Sequence, residues 1–318
     1  MKIVILEAGA LGEDVDFSVF DRFGEVVRYE KSTPKQVPER IRDAQVVIAN
    51  KVPVCETYFG QAQALELVCV TATGINNLDL DFLKERGIPA CNVAGYSTGA
   101  VAQHTFALLF YIWQKLRYYD DFVKSGEYAK GEAFSHFGKK FYELDGKTWG
   151  IVGLGAIGRK VAEIASVFGC RVLVYSASGS RYDSPYEQVD FDTLLAESDI
   201  LSIHAPLNES TRNLMTLDAF QKMKRSAVLI NVARGPIVNE QDLYTALTQD
   251  LIAGAALDVL SREPMREDNP LGKIMDSSKL VITPHIAWAP VETRNRVVEE
   301  VAANIQAFLD GHIRNRVC

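Results

Sequence analysis

Two groups of residues in this sequence have the types and spacing to do chemistry. The first is Gly153-Leu154-Gly155-Ala156-Ile157-Gly158, a G-x-G-x-x-G run between the apolar stretch TWGIVG and a helical pattern over 159–168. In that strand–turn–helix setting each glycine has a task. Gly153 permits the tight turn, Gly155 lets backbone approach a pyrophosphate, and Gly158 lets helix and strand pack closely. The helix N-terminus offers unpaired N–H groups and a positive dipole end to the phosphates. The second group is a set of polar residues that each follow an apolar strand: Arg234 in LINVARGPIVNEQDL, Asp258 and Glu263 in ALDVLSREP, and His285 in LVITPHIAW. In open α/β sheets, ligands bind at that strand edge.

The second group matches what hydride reduction of an oxo acid needs from a protein. A cation must hold the carboxylate, and Arg234 has the forked geometry for it. An acid must protonate the carbonyl oxygen, and histidine exchanges its proton near neutrality, which suits His285. A partner must favour the charged acid and orient it, and Glu263, which follows the neighbouring strand, would do so beside His285. Taken singly, Arg234 also reads as a helix-terminal charge, Glu263 as a solvated acid in SREPMRED, and His285 as a turn residue. The combination downstream of a nucleotide motif is what specifies a site. The strand after the glycine turn, RVLVYSAS, ends at Ser176, where an acid that takes the ribose hydroxyls and selects NAD is expected. Ser178, Ser180 and Arg181 follow, with no carboxylate before Asp183. The residues therefore leave NAD(H) and NADP(H) both open, and no metal site is read.

The elements that must position these residues are legible as an alternation of short apolar strands with amphipathic helices, which predicts an α/β fold of parallel sheets. The first part has strands in KIVIL (2–6), AQVVIAN (44–50) and LELVCVTAT (65–73). A Gly/Ser/Thr-rich stretch, GYSTGA (95–100), reads as a linker, and one long, largely apolar helical segment follows over 100–125. The second part continues from the glycine motif with strands at 199–206, 227–233, 254–260 and 280–286. An amphipathic helix closes the chain over 291–309.

Bulk properties agree with this reading. A chain of 318 residues suits two domains. Hydrophobic residues at 47% and charged residues at 24% fit a globular protein with an ordinary core. A net charge of −7 without any Lys/Arg-rich run argues against nucleic acid and anionic membrane as partners. The start, MKIVILEAGALGEDVDF, lacks the pattern of a signal peptide, and no stretch is long enough to span a bilayer. Five cysteines, an odd number without a C-x-x-C pair, fit reduced thiols in a cytoplasm.

With these motifs in hand the chain resembles the D-isomer-specific 2-hydroxyacid dehydrogenases over almost its whole length. GLGAIG (153–158), HAPLNEST (204–211), NVARGPIVNEQDL (231–243), ALDVLSREP (256–264) and TPHIAW (283–288) occur in the family's order. NKVPV (50–54), GYSTGAVAQHTFALL (95–109) and HIAW (285–288) are most similar to the family's bacterial glycerate dehydrogenases. The resemblance implies two Rossmann-like doubly wound domains, a discontinuous substrate domain of 1–98 with 287–318 and a dinucleotide domain of 99–286. It implies reduction of hydroxypyruvate or glyoxylate to the D-2-hydroxy acid by NAD(P)H, with Arg234, Glu263 and His285 in the roles above. The backbone N–H groups of Gly74 and Ile75 in ATGINN (72–77) would hold the substrate carboxylate, and Trp288 would line the substrate. Ala156, Ile157, His204, Ala205, Pro206, Thr211, Val232 and Ala233 would lie along the cofactor, and Asp258 near its nicotinamide amide. The resemblance further implies a homodimer built on the 100–125 region. Ser176 departs from the family's usual acid. Other readings are a nucleotide-sensing binding protein of the same fold and a formate dehydrogenase-like enzyme. In the latter the resemblance leads one to expect Gln where Glu263 stands.

Overall fold

The computed structural model describes residues 1–318, and its contacts divide the chain into two compact units, Met1–Ser97 with Trp288–Cys318, and Thr98–Ala287. Each unit is built on one fully parallel sheet. Buried parallel strands read as unbroken apolar runs because both faces are covered by helices, and the inner strands of both sheets follow this rule.

The first unit has β1 (Lys2–Ile5), β2 (Glu25–Arg28), β3 (Val46–Ala49), β4 (Leu67–Val70) and β5 (Ala90–Cys91), in the order β2-β1-β3-β4-β5. One face carries Phe20, Leu67 and the buried side of the helix Val291–Leu309, and the other carries Phe59, Leu83 and Ile41. The strand order reverses between β1 and β3, the place where such sheets take ligands. Here the Glu7 carboxylate fills it, accepting from the N–H groups of Asn50, Lys51 and Val52 at 2.8, 2.8 and 3.0 Å.

The second unit has β6 (Thr148–Val152), β7 (Arg171–Tyr175), β8 (Glu187–Gln188), β9 (Ile200–Ile203), β10 (Val228–Asn231), β11 (Gly254–Leu257) and β12 (Leu280–Ile282). Their order is β12-β11-β10-β9-β6-β7-β8, with the reversal between β6 and β9. One core layer gathers around Trp149, whose ring centroid lies 4.8 Å from that of Phe106, and the other around Phe220, Leu243 and Leu247. Truncating a buried aromatic such as Trp149 would cost about 3–5 kcal/mol.

Three expectations need correction. The helix after the glycine turn runs Ala156–Val167, not 159–168, so half of the motif lies inside its first turn. Glycine propensity reads as loop, but the sheet fixes where the helix must start. The segment 100–125 is two helices, Thr98–Trp113 and Leu116–Lys124. Between them Lys115 takes a left-handed conformation (φ 55°), and its Nζ donates to the Ser278 carbonyl at 2.9 Å. No glycine or proline announces that break. Finally, the strands read over 199–206, 227–233, 254–260 and 280–286 stop three residues early at their C-terminal ends, two in the case of 227–233, and four for the last. The residues beyond those ends are the chemistry-bearing ones. All five cysteines are free, and no helix is long and apolar enough to cross a membrane.

Candidate active site

The register of the second unit puts six strand ends in one row: Tyr175, Val152, Ile203, Asn231, Leu257 and Ile282 pair in succession across β7, β6, β9, β10, β11 and β12. The glycine turn, Ser176, His204, Arg234, Asp258 and His285 all follow these ends within three residues, so the sheet delivers them to a single edge.

At the reversal between β6 and β9, Gly153 has φ +90°, and a Cβ there would fall 2.8 Å from the Cα of Ala205. The segment His204–Ala205 thus packs directly on the turn. A Cβ on Gly158 would meet the Gly153 carbonyl oxygen at 2.2 Å, whereas one on Gly155 would meet nothing within 4 Å. No side chain caps the following helix, and the N–H groups of Ala156, Ile157 and Gly158 have no partner in the protein. An open cradle beneath unpaired N–H groups and a dipole end fits a pyrophosphate. Ser176 is buried, with its hydroxyl 3.2 Å from that of Ser178, which donates to Ser180 at 3.0 Å. Arg181 is exposed and makes no ion pair. Thr211 holds its own loop by donating to the Pro206 carbonyl at 2.8 Å. His204 bonds through Nε2 to Ser202, which also accepts from Trp149, while its Nδ1 is enclosed without a partner. Burial pushes its pKa down to about 3, so the ring is neutral.

Arg234 follows β10 in an extended conformation and is half-buried. Its guanidinium makes one bond, from Nη1 to the Ala233 carbonyl at 2.8 Å, and no acid neutralises it. Val232 and Ala233 lead into it, and Asn231 pins the turn by donating to the Arg234 carbonyl at 3.0 Å. Gly235 is required next, because a Cβ there would fall 1.9 Å from the Leu260 carbonyl carbon. That close approach ties the Arg234 loop to the loop that carries Glu263.

His285 Nδ1 lies 2.7 Å from Glu263 Oε2, and Glu263 Oε1 accepts from the Leu260 N–H at 3.0 Å. A carboxylate only accepts, so Nδ1 carries the hydrogen, and Nε2 has no protein partner. The backbone of His285 is left-handed (φ 56°), a strain on the order of 1–3 kcal/mol for a non-glycine residue. Asp258 maintains it. The His285 N–H donates to the Asp258 carbonyl at 2.9 Å, and the N–H groups of Ile286 and Ala287 donate to its carboxylate at 2.9 and 2.8 Å. Burial opposes ionisation of this carboxyl. The bonds from His104, Thr283, Ala287 and Ile286 outweigh burial and hold it below the usual carboxylate range.

In the first unit the backbone N–H groups of Gly74 and Ile75 have no partner in the protein. Their loop is anchored by Thr73, which donates to the Val93 carbonyl at 2.8 Å, and by Asn77, which donates to that of Val52 at 3.1 Å. Trp288 stands edge-to-face against Tyr96, with centroids 6.5 Å apart. Sequence reasoning missed three contributors. His104 and Thr283 bond beneath the His285 turn, and Glu240 accepts from the Ser261 N–H and the Asn269 side chain to brace the Glu263 loop. His104 is hidden in an apolar helical run, and Glu240 looks like an ordinary first-turn acid. No three His, Cys, Asp or Glu side chains gather to hold a metal ion.

Residues 106–287 match the family model for the NAD-binding domain of D-isomer-specific 2-hydroxyacid dehydrogenases. A hydroxypyruvate reductase of Blautia hydrogenotrophica is 36% identical over 98% of both chains. A glycerate dehydrogenase of Methylorubrum extorquens is 34% identical over 99% of this chain and 98% of its own. Among solved structures, an acyclic imino acid reductase in complex with NADPH and D-arginine superposes with a TM-score of 0.87 at 29% identity over the whole of both chains.

Proposed function

We propose that this chain, which belongs to the family of D-isomer-specific 2-hydroxyacid dehydrogenases, reduces hydroxypyruvate or glyoxylate to the corresponding D-2-hydroxy acid. The observation that carries the reading is the 2.7 Å bond from His285 Nδ1 to Glu263, which leaves Nε2 free at the strand edge that also bears Arg234 and the glycine turn. The likeness to relatives named for these substrates supports the choice of acid.

The bound nicotinamide supplies the hydride. The protein's part is to hold the acid, polarise its carbonyl and deliver a proton. Arg234, uncompensated by any acid, pairs with the substrate carboxylate and draws charge toward the carbonyl oxygen. Within the first unit, the unpaired N–H groups of Gly74 and Ile75 are donors of the kind a carboxylate accepts. Protonated His285 gives the proton on Nε2 to the carbonyl oxygen, while Glu263 accepts from Nδ1, stabilises the imidazolium and keeps the ring from turning.

Ala156, Ile157, Ala205, Pro206, Val232 and Ala233 line the dinucleotide in this reading. Ser176, Ser178, Ser180 and Arg181 form a carboxylate-free end for its ribose, which favours NADPH. The enzyme works as a homodimer, in which Phe134 and Phe137, 93% and 86% exposed beside the helix Leu116–Lys124, are covered by a second copy. A steady-state panel of 2-oxo acids with NADH and NADPH tests the reading. Turnover of hydroxypyruvate or glyoxylate, well above that of bulkier 2-oxo acids, is expected. Cofactor binding without turnover of any 2-oxo acid would instead favour a sensing protein.

A further inference from the structure

Behind the His285 turn lies a second histidine that the mechanism has not used. His104 sits in the helix Thr98–Trp113, with its side chain only 19% exposed. Its Nε2 is 3.0 Å from Thr283 Oγ1 and 3.4 Å from Asp258 Oδ1, and Thr283 Oγ1 is 2.6 Å from the same Asp258 oxygen.

The protons on this cluster can be placed. Asp258 accepts from two backbone N–H groups and is ionised, so it can only accept from Thr283. A threonine hydroxyl has one proton, and the 2.6 Å contact commits it to Asp258. The Thr283 oxygen must then receive the bond from His104, which fixes a hydrogen on His104 Nε2 whatever the charge of the ring. Donation runs in one direction, from His104 to Thr283 to Asp258, and the Asp258 carboxylate in turn receives Ile286 and Ala287. Those two N–H groups and the Asp258 carbonyl hold the left-handed backbone of His285.

We propose that His104 is a positioning residue for proton transfer by His285, acting through the Thr283 hydroxyl and the Asp258 carboxylate. Without His104 the Thr283 hydroxyl loses the donor that fixes its oxygen and is free to rotate, which loosens its bond to the same Asp258 oxygen that accepts from the Ile286 N–H. The carboxylate then shifts toward other donors, and the His285 ring moves with the backbone it holds. A misplacement of about 1 Å at a reacting group costs on the order of 10²-fold in rate. The proposal rests on the reading of His285 as proton donor.

The test compares His104→Phe, His104→Gln, Thr283→Val and Thr283→Ser with wild type and His285→Ala. The readouts are kcat and KM for hydroxypyruvate, and the Kd of NADH and NADPH from quenching of tryptophan fluorescence. Phe and Val remove the donor and the relay. Gln and Ser restore an N–H and a hydroxyl at nearly the same points. The expected result is a loss of about tenfold or more in kcat for His104→Phe and Thr283→Val, with cofactor Kd unchanged and substantial rescue in His104→Gln and Thr283→Ser. If His104→Phe does not fold, the Thr283 pair carries the same comparison. Wild-type kcat in His104→Phe or Thr283→Val, beside an inactive His285→Ala, overturns the proposal alone. So does equal loss in the rescued and unrescued variants, which would mean packing only. Near wild-type turnover in His285→Ala would bring down the reading of His285 and the proposal with it.

Discussion

Glu263 divides its carboxylate between two bonds, one oxygen accepting from the His285 ring at 2.7 Å and the other from the Leu260 N–H at 3.0 Å. The backbone bond anchors the carboxylate to its own loop, so the ring is oriented by a group that is itself held. Glu263→Gln keeps the size and removes the charge that stabilises the imidazolium. Its kcat should fall at least about tenfold, part of the 10²–10⁴ that general acid catalysis contributes. KM for hydroxypyruvate and cofactor Kd should stay within about twofold, and an unchanged kcat would refute the pairing.

Arg234 carries an unneutralised guanidinium on a half-buried loop. A lysine keeps the charge but not the planar fork. Arg234→Lys should raise KM for hydroxypyruvate by about tenfold or more, a loss near 1.4 kcal/mol. Unchanged KM and kcat would remove Arg234 from the substrate site.

Ser176 stands where a ribose-binding acid would repel a 2′-phosphate, and Arg181 nearby is free to pair with one. Wild-type kcat/KM for NADPH should equal or exceed that for NADH, and Ser176→Asp should swing preference toward NADH. A wild-type preference for NADH of a hundredfold, roughly 2.7 kcal/mol, would show that other contacts select the cofactor.

His204 provides a stability test that needs no substrate. Unfolded, a histidine takes up a proton near pH 6.5. Folded, His204 resists protonation until about pH 3 because its ring is buried. Its contribution is therefore present above pH 6.5 and lost as pH falls toward 3, at about 1.4 kcal/mol per pH unit. Between pH 7 and 5 wild type should lose up to about 2 kcal/mol more than His204→Gln. Denaturant midpoints that run parallel over this range would contradict the burial.

Much of this could be read before any coordinates. The strand ends carrying Arg234, Asp258 and His285 were legible because buried parallel strands leave unbroken apolar runs, and the polar residue after each run marks its end. The three glycines were legible because a tight turn at Gly153 and a close helix contact at Gly158 forbid a side chain, while Gly155 leaves room for a pyrophosphate to reach the backbone. Lys115 was not, since its left-handed break is set by a bond to Ser278 far along the chain. His104 was not either, because its partners Thr283 and Asp258 lie more than 150 residues away. Local pattern reports periodicity and turn chemistry, and it is blind to bonds whose only logic is the packed sheet.

The central claim is that His285 gives the proton on Nε2 to the substrate carbonyl. The most direct measurement is kcat for hydroxypyruvate reduction by His285→Ala at saturating cofactor, beside the cofactor Kd of the same variant. The expected result is a loss on the order of 10²–10⁴ in kcat with cofactor Kd within about twofold of wild type. Near wild-type turnover would contradict it.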